Sequence, residues 1–380
     1  MTNVVFLPDV GHGFVPERLV EARQARQMSC AELGRAVGLT GQAIGYYEDG
    51  ERRPDMGKLL LIADALGRTP GFFLRPVRSV EGRAGTRFFR ATGRRVNRVN
   101  LALDVRMKWL AELLSFITES VLLPKNNLPD ISYSSPAGYS KLEVEIAAEQ
   151  TRRFWGLSDG PIANMVALLE THGVIVTRFS LGSEQIDAFS CWQAGRPHIV
   201  LGSDKRSAAR SRFDAAHELA HLLLHRGISQ KDLEDKSVLD RIESEANTFA
   251  GAFLLPRRAL LNEYYSTRLG HLEGLKARWR VSMQAIAHRC KQIGAMDEEQ
   301  YVNFRKQMSA RKWLTLEPLD EVLPLEQARL FLKAWEMASN TSAASGDGEV
   351  GFGADLLPEL CSLDPEPPPP PVEPRLRRVS

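Results

Sequence analysis

The feature that most constrains this sequence is the segment at residues 210–227, which reads RSRFDAAHELAHLLLHRG. His217 and His221 are four residues apart, so on a helix they share one face and can converge on one metal ion. Glu218 follows the first histidine, where its carboxylate can act as a base toward a metal-bound water. The alternative is a pair of ordinary histidines on a helix surface. His225 extends the same predicted face, and we favour a structural role for it over contact with a substrate or an oxyanion.

A second predicted helix, at residues 241–256 with the sequence RIESEANTFAGAFLLP, offers a third ligand. Glu243 can bind zinc, and Asn247, one turn later, can orient a histidine ligand through a hydrogen bond. Glu245 points about 160° away from Glu243 on an ideal helix, so the two cannot both be ligands. We choose Glu243 and keep Glu245 as the less favoured alternative.

The N-terminal part of the chain, residues 16–74, has a pattern of short amphipathic helices separated by tight turns. Ser29 and Glu32 have the spacing of a capping box, and Thr40 can cap the helix that follows. This arrangement of caps, turns and apolar positions resembles the Cro/phage-repressor (XRE) type of helix-turn-helix DNA-binding domain. In that family the second helix of the motif, here residues 40–48, enters the major groove.

The resemblance implies that outward-facing side chains of that helix contact DNA, and we assign this role to Thr40, Gln42 and Tyr46. Gln42 is the one suited to bidentate reading of adenine. Gly41 and Gly45 each weaken the helix by roughly 1 kcal/mol relative to Ala. The pattern therefore predicts the fold better than it predicts sharp sequence specificity. A helical bundle used for protein contact or dimerisation is the alternative.

The two zinc segments together are similar to the ImmA/IrrE family of zinc metallopeptidases. The resemblance rests on HELAHLLLH, on ESEANTFAGAFLLP and on upstream segments at 160–176 and 186–201, and it covers about residues 140–310. It implies a gluzincin-like zinc metallo-endopeptidase that uses Zn²⁺ as its cofactor. It also implies the roles of four residues: the metal ligands His217, His221 and Glu243, and the catalytic Glu218.

Composition is that of an ordinary globular protein, with 380 residues, 49 basic and 47 acidic side chains and 43% hydrophobic residues. It excludes collagen-like, fully disordered and coiled-coil classes. No apolar stretch approaches the roughly 20 residues that span a bilayer, and the N-terminus lacks a signal-peptide pattern. The four cysteines form no CxxC pair, which argues against a disulfide framework and a cysteine zinc site. We expect a cytoplasmic protein with no membrane partner.

Positive charge is concentrated toward the N-terminus: residues 1–100 contain 16 basic and 10 acidic side chains, a net charge of +6. Residues 75–98 alone carry eight Arg against one Glu. This basic connector is either a solvated linker or a segment that contacts phosphates.

Hydrophobic periodicity predicts a mainly α protein with a small β-sheet, an α+β class, with strands at residues 174–179 and 198–201. A helical pair at residues 272–296 resembles a further helix-turn-helix-like unit, for which we favour a packing role over substrate or DNA contact. The predicted division of the chain has six parts: an N-terminal lead (1–15), the helix-turn-helix domain (16–74), the basic connector and a helical linker (75–138), the zinc peptidase domain (139–260), a helical C-terminal region (261–338) and a disordered tail rich in Gly, Ser and Pro (339–380).

These features predict a DNA-binding transcriptional regulator with a zinc-dependent endopeptidase domain. The substrates characteristic of the resembled family are repressor proteins of the helix-turn-helix type, whose cleavage releases stress-response or mobile-element genes. With a repressor-like domain in the same chain, the protein delivers the peptidase to a repressor on DNA, mimics a repressor in order to dimerise with it, or is itself cut. A homodimer is also left open. The alternative is a DNA-binding regulator or antitoxin-like protein whose zinc domain is a sensor or is not catalytic.

Overall fold

A computed structural model describes the protein over residues 13–78, 94–131, 138–182, 186–203, 207–345 and 353–361. Helices predominate in this part of the chain, and one three-stranded sheet accompanies them, which confirms the predicted α+β class. Among these residues no helix is long and apolar enough to cross a membrane. The helices are α1 (Pro16–Ala25), α2 (Cys30–Ala36), α3 (Gly41–Glu48), α4 (Met56–Leu66), α5 (Arg94–Ser120), α6 (Lys141–Phe154), α7 (Met165–Thr171), α8 (Ala208–Leu224), α9 (Lys236–Leu254), α10 (Arg257–Glu263), α11 (Leu269–Trp279), α12 (Met283–Gln292), α13 (Glu298–Ala310), α14 (Leu330–Ser345) and α15 (Leu357–Leu360). The strands are β1 (Ile175–Phe179), β2 (Ala188–Gln193) and β3 (Arg196–Gly202).

Helices α1 to α4 form a bundle that is closed by a 3₁₀ turn, Pro70–Leu74. The capping box that begins α2 is complete, because the Ser29 hydroxyl accepts the Glu32 N–H while Glu32 accepts the Ser29 N–H at 2.6 Å. Helix α3 begins at the next cap, where the Thr40 hydroxyl oxygen accepts the Ala43 N–H at 3.1 Å. The helix starts of the motif therefore follow from local hydrogen bonds that the sequence encodes.

Close backbone approach and one ion pair set the arrangement of these helices. A Cβ added at Gly34 would lie 2.8–2.9 Å from backbone atoms of the α2–α3 turn, and one added at Gly41 would lie 3.0 Å from Ala31. Glycine at position 41 thus allows close packing of α3 against α2, which offsets its low helix propensity. Arg23 of α1 holds Glu48 at the end of α3 through two hydrogen bonds of 2.6 and 2.7 Å.

Helix α5 lies within residues 75–138, the part of the chain that the sequence predicts to be a basic connector and a helical linker. Apolar side chains occur around most of its circumference and are buried, including Trp109, so the helix belongs to the core. Its Glu112 accepts two hydrogen bonds from the buried Arg18 guanidinium of α1, at 2.6 and 3.1 Å. Residues 79–93, most of the basic connector, lie outside the described residues, and both interpretations of that segment stay predictions.

The sheet has the strand order β1-β3-β2, with β1 parallel and β2 antiparallel to β3. Strands β1 and β3 match the predicted strands to within two residues at each end, whereas β2 is not among them. All five residues of β1 are buried, as expected for a strand covered on both faces. The sheet is therefore a central layer with helices on each side.

The two faces of the sheet belong to different hydrophobic cores. One face, which we call the α8 face, packs against α8 and includes Val176 and Ile199. The other, which we call the α5 face, includes Phe189 and Val200 and shares its core with α5 and the α1–α4 bundle. The helix-turn-helix bundle and the histidine-bearing helix thus lie on opposite sides of one sheet.

Helices α11 and α12 correspond to the helical pair predicted at residues 272–296. Ser282 caps α12 by accepting the Ala285 N–H at 3.1 Å, and Ile286 is fully buried. Helix α12 packs against α9 and α13. These contacts agree with the packing role that the sequence favours.

The C-terminal segment corrects the prediction of a disordered tail at residues 339–380. Helix α14 extends to Ser345, and residues 353–361 pack onto the molecule, with Leu356 and Leu360 buried in the core of the α5 face. Glu359 pairs with Arg68 of the bundle and with Arg106 of α5. Two buried leucines and the two ion pairs of Glu359 hold this segment in place, although Gly, Ser and Pro are frequent in the flanking sequence. The rest of the predicted tail lies outside the described residues.

Candidate metal centre

Helix α8 has one surface that packs into a hydrophobic core and another that carries the histidine motif. Ser207 caps the helix by accepting the Arg210 N–H at 3.3 Å. Leu219, Leu222 and Leu223 are buried in the core of the α8 face, as expected for the apolar flank of an amphipathic helix. The face that carries the histidines is turned toward α9, with which α8 makes extensive contact.

Three side chains from α8 and α9 converge at one point. The Nε2 atoms of His217 and His221 are 3.0 Å apart. Glu243 of α9 approaches both of them, with its Oε2 atom 3.3 Å from His217 Nε2 and its Oε1 atom 3.6 Å from His221 Nε2. Among the described residues this is the one group of histidine, cysteine and acidic side chains that could together hold a metal ion.

The donor set fits zinc. Tetrahedral ligands at about 2.0–2.1 Å from a zinc ion lie about 3.3 Å from one another, and the three observed separations, 3.0, 3.3 and 3.6 Å, centre on that distance. Two imidazole lone pairs facing each other at 3.0 Å also repel unless a cation or a proton lies between them. Two histidines and one carboxylate leave a coordination position open, as in catalytic zinc sites.

The local electrostatics also favour a cation. Burial lowers the pKa of His221 to about 3, so its imidazole is neutral, the form that binds metals. Burial acts in the same direction on His217, but the hydrogen bond to Glu243 and the charge of Glu218 raise its pKa to about 9. Burial acts to raise the pKa of Glu243, but its hydrogen bonds to His217 and His221 hold that pKa well below its usual range. The ionised Glu243 carboxylate also attracts a metal cation.

Glu218 is buried beside this group. Its side chain is directed into the protein, and its Oε2 atom has no hydrogen-bond partner among the described residues. Burial raises the pKa of its carboxyl group to about 8. A buried carboxylate oxygen without a partner is costly, and such atoms mark places where a water molecule or a substrate group binds.

Each of the two histidines has a different partner on its Nδ1 atom. Asn247 of α9 brings its Oδ1 atom to 3.2 Å from His217 Nδ1. On the other histidine, His225 Nδ1 lies 2.9 Å from His221 Nδ1. Glu245, the alternative ligand in the sequence, is directed away from the convergent group, and its Oε2 atom lies 2.9 Å from His225 Nε2.

A cleft of about 860 Å³ opens beside the convergent group. Glu243 and Asn247 form part of its wall, and Phe213 of α8 adds an apolar surface. Lys141 and Lys291 lie along the same cleft. The cleft is thus large enough to receive an extended peptide segment next to the candidate ligands.

The predicted DNA-contacting residues are the N-cap of α3, Thr40, and two residues within that helix, Gln42 and Tyr46. Thr40 and Gln42 are exposed, and the Gln42 amide donates a hydrogen bond of 2.7 Å to the Tyr46 hydroxyl. Because the Thr40 oxygen accepts the cap hydrogen bond, its hydroxyl proton is still available to a phosphate. The guanidinium of Arg52 lies 4.8 Å from the centre of the Tyr46 ring and adds a positive charge next to this group.

Comparison with known families assigns both regions. Residues 169–291 match the IrrE N-terminal-like domain of peptidase family M78, and residues 19–73 match a helix-turn-helix family. The chain joins a helix-turn-helix domain to an IrrE-like domain. Both resemblances inferred from the motifs are thereby confirmed.

Two relatives match part of the chain. Both are described as uncharacterized HTH-type transcriptional regulators of Sinorhizobium fredii, y4aM and y4wC. The first is 40% identical over 60 residues, which is 16% of this chain and 42% of the relative. The second is 35% identical over 78 residues, which is 20% of this chain and 54% of the relative. The chain thus spans about half the length of the relatives it matches.

Two residues of the IrrE-like domain gain a place that sequence reasoning did not assign. His225 and Glu245 contact each other and, through His221, adjoin the candidate ligands. The sequence signal for His225 is its i, i+4 spacing from His221, but its partner lies on another helix, which spacing alone cannot reveal. Arg52 likewise follows α3 in sequence without any motif that marks it.

Proposed function

We propose that this chain is a DNA-binding regulator with a zinc-dependent endopeptidase site that cleaves a repressor-type helix-turn-helix protein. The observation that carries the proposal is the convergence of His217, His221 and Glu243 beside the buried Glu218. The match to the IrrE-like domain supports the same chemistry. The helix-turn-helix domain and its relatives support binding to DNA.

In this mechanism His217, His221 and Glu243 would hold a zinc ion. When bound, the zinc would supply Lewis-acid chemistry toward a carbonyl group and a water molecule. A cation beside Glu218 would favour the ionised form of its carboxyl group. The unpartnered Oε2 atom would then take a proton from the attacking water and return it to the leaving amine. The cleft along α9 binds the peptide on either side of the scissile bond.

Cleavage in trans is the arrangement that the fold favours. The helix-turn-helix bundle lies on the α5 face of the sheet, and the candidate centre belongs to the α8 face. Arg18 and Glu112, both buried, fix the bundle to α5. A second molecule therefore supplies the substrate, and the bundle of this chain serves to bind DNA or to pair with the substrate's similar domain.

A second candidate function is metal-dependent control of DNA binding without proteolysis. It is favoured by the continuous hydrophobic core that joins the bundle to the sheet under α8. In that case metal binding on one face changes the DNA affinity of the domain on the other face.

One experiment separates the two functions. The full chain loaded with zinc is incubated with helix-turn-helix proteins encoded by neighbouring genes, and fragments are identified by mass spectrometry. We expect fragments with the wild type and with Glu234→Gln, an exposed control, and none with Glu218→Gln at equal zinc content. If no variant yields fragments and zinc changes the affinity for operator DNA in all three, the peptidase proposal fails and the second candidate is supported.

A further inference from the structure

Three buried side chains, Glu245, His225 and His221, which we call the relay, connect α9 to one candidate metal ligand. Glu245 Oε2 lies 2.9 Å from His225 Nε2, and His225 Nδ1 lies 2.9 Å from His221 Nδ1. All three residues are at most 5% exposed. Because solvent hardly reaches these side chains, water cannot replace the hydrogen bonds between them.

The contacts determine where the protons lie. A carboxylate only accepts, so His225 Nε2 carries a proton and donates it to Glu245. In neutral His225 the Nδ1 atom is then an acceptor, and it receives the proton on His221 Nδ1. This leaves the lone pair on His221 Nε2, the atom that faces His217 and Glu243. The relay therefore selects the tautomer of His221 that can bind a metal.

A backbone N–H group holds Glu245, the end of the relay that is farther from the candidate ligands. The Tyr139 N–H donates to Glu245 Oε1 at 3.0 Å, and the Tyr139 hydroxyl donates to the Leu224 carbonyl at the end of α8. Gly138 allows this approach, because a Cβ there would lie 2.5 Å from Glu245 Oε1, and its φ is +82°. The carboxylate is thus fixed by the segment before α6 and by neither ligand-bearing helix alone.

The other histidine is supported differently. His217 meets the neutral amide of Asn247 at 3.2 Å, and its side chain is 15% exposed, whereas that of His221 is fully buried. A charged carboxylate acting through an imidazole orients its histidine more strongly than one neutral amide at longer distance. The two ligands should therefore differ in what fixes them.

We propose that Glu245 and His225 are positioning residues that together fix the orientation and tautomer of His221 for metal binding. They act through His221 and do not touch the substrate. The inference rests on the proposed metal site, but it does not depend on whether the site cleaves peptides.

The test measures Zn²⁺ affinity of the full chain by competition with a chromophoric chelator. The variants are His225→Phe, Glu245→Gln and the double variant. We expect each single substitution to raise the Kd for zinc roughly 10- to 100-fold. The Kd of the double variant should be no higher than the higher of the two single-variant values. Such non-additivity is the mark of residues that act as a unit.

Glu170→Gln is the matched control, since Glu170 is a buried carboxylate whose hydrogen bonds go to the backbone N–H groups of Arg329 and Leu330. Its zinc Kd should equal that of the wild type. Thermal unfolding of each metal-free variant is measured in parallel. If the relay variants lower the unfolding temperature but leave the zinc Kd unchanged, the residues are only structural and the inference is overturned. Additive losses in the double variant also overturn it, as does an equal loss in Glu170→Gln.

The outcomes separate this inference from the proposed function. A wild-type chain that binds zinc tightly and cleaves nothing removes the peptidase proposal and leaves the relay intact. Unchanged zinc affinity in the relay variants removes the relay and leaves the peptidase proposal intact. A wild-type chain that binds no zinc overturns both.

Discussion

The two faces of the central sheet support helices of opposite character. On the α8 face, the histidines of α8 are directed inward and meet side chains of α9. On the α5 face, the bundle presents Gln42 and Tyr46 of α3 at the surface. The candidate metal ligands contact one another inside the protein, whereas Gln42 of α3 contacts Tyr46 at the surface, and Arg52 lies over the Tyr46 ring.

This difference decides how far geometry can define each site. A metal ion needs donors held within a few tenths of an ångström, and buried side chains from two packed helices provide that. A DNA-reading helix needs exposed side chains whose final positions depend on the bound duplex. The structure therefore defines the positions of the candidate metal ligands in detail, whereas for α3 it defines only where the exposed side chains lie.

Removing a ligand breaks the α8 face and should have the largest effect. We expect His221→Ala to weaken zinc binding by about a hundredfold or more, since each ligand contributes about 3 kcal/mol of a total of about 10–16 kcal/mol. The measurement is zinc content after dialysis against a weak chelator. His288→Ala, which changes a histidine in the same cleft, is the control and should retain zinc. Equal loss in both variants would contradict the assigned ligands.

Breaking the junction between the bundle and α5 tests whether the two faces belong to one cooperative unit. Arg18→Ala leaves Glu112 buried without its partner, and we expect a loss of about 3–5 kcal/mol in the free energy of unfolding. Arg98→Ala, which removes a pair with Glu32 whose side chains are 49% and 37% exposed, should cost less than about 1 kcal/mol. Urea unfolding followed by tryptophan fluorescence measures both. Similar losses would mean that the buried pair does not hold the bundle in place.

Altering the α3 surface should have the smallest effect on the molecule itself. We expect Gln42→Ala to weaken binding to the protein's own operator by about 1–3 kcal/mol and to relax base preference. Binding to unrelated DNA should change little, because the phosphate contacts remain. Fluorescence anisotropy with both DNAs makes the comparison, and Asp64→Asn on the exposed side of α4 is the control. An equal loss on both DNAs would show that Gln42 does not read a base.

Features set by neighbouring residues could be predicted from the sequence. The capping box of Ser29 and Glu32, the cap at Thr40 and the shared helical face of His217 and His221 all depend on spacing within one helix. Helix periodicity also excluded Glu243 and Glu245 as joint ligands, although it did not choose between them. These interactions span fewer than five residues along the chain or one helical face, so local rules describe them.

Features set by distant contacts could not be predicted in this way. Strand β2 lacks a clear alternation because it is buried almost throughout, and buried strands cannot be recognised by periodicity alone. Leu356 and Leu360 look like part of a flexible tail until the core that receives them is seen.

The sequence by itself determined the identity of both functional helices, since the histidine spacing of α8 and the caps around α3 are local. Only the tertiary structure decided what surrounds them: that α5 is a core helix, that the bundle and the candidate metal ligands lie on opposite faces of one sheet, and that Glu245 contacts His225. The physical reason is that burial and hydrogen bonding between Glu245 and His225 depend on how α8 and α9 pack. Residues twenty positions apart in the chain carry no local record of that packing.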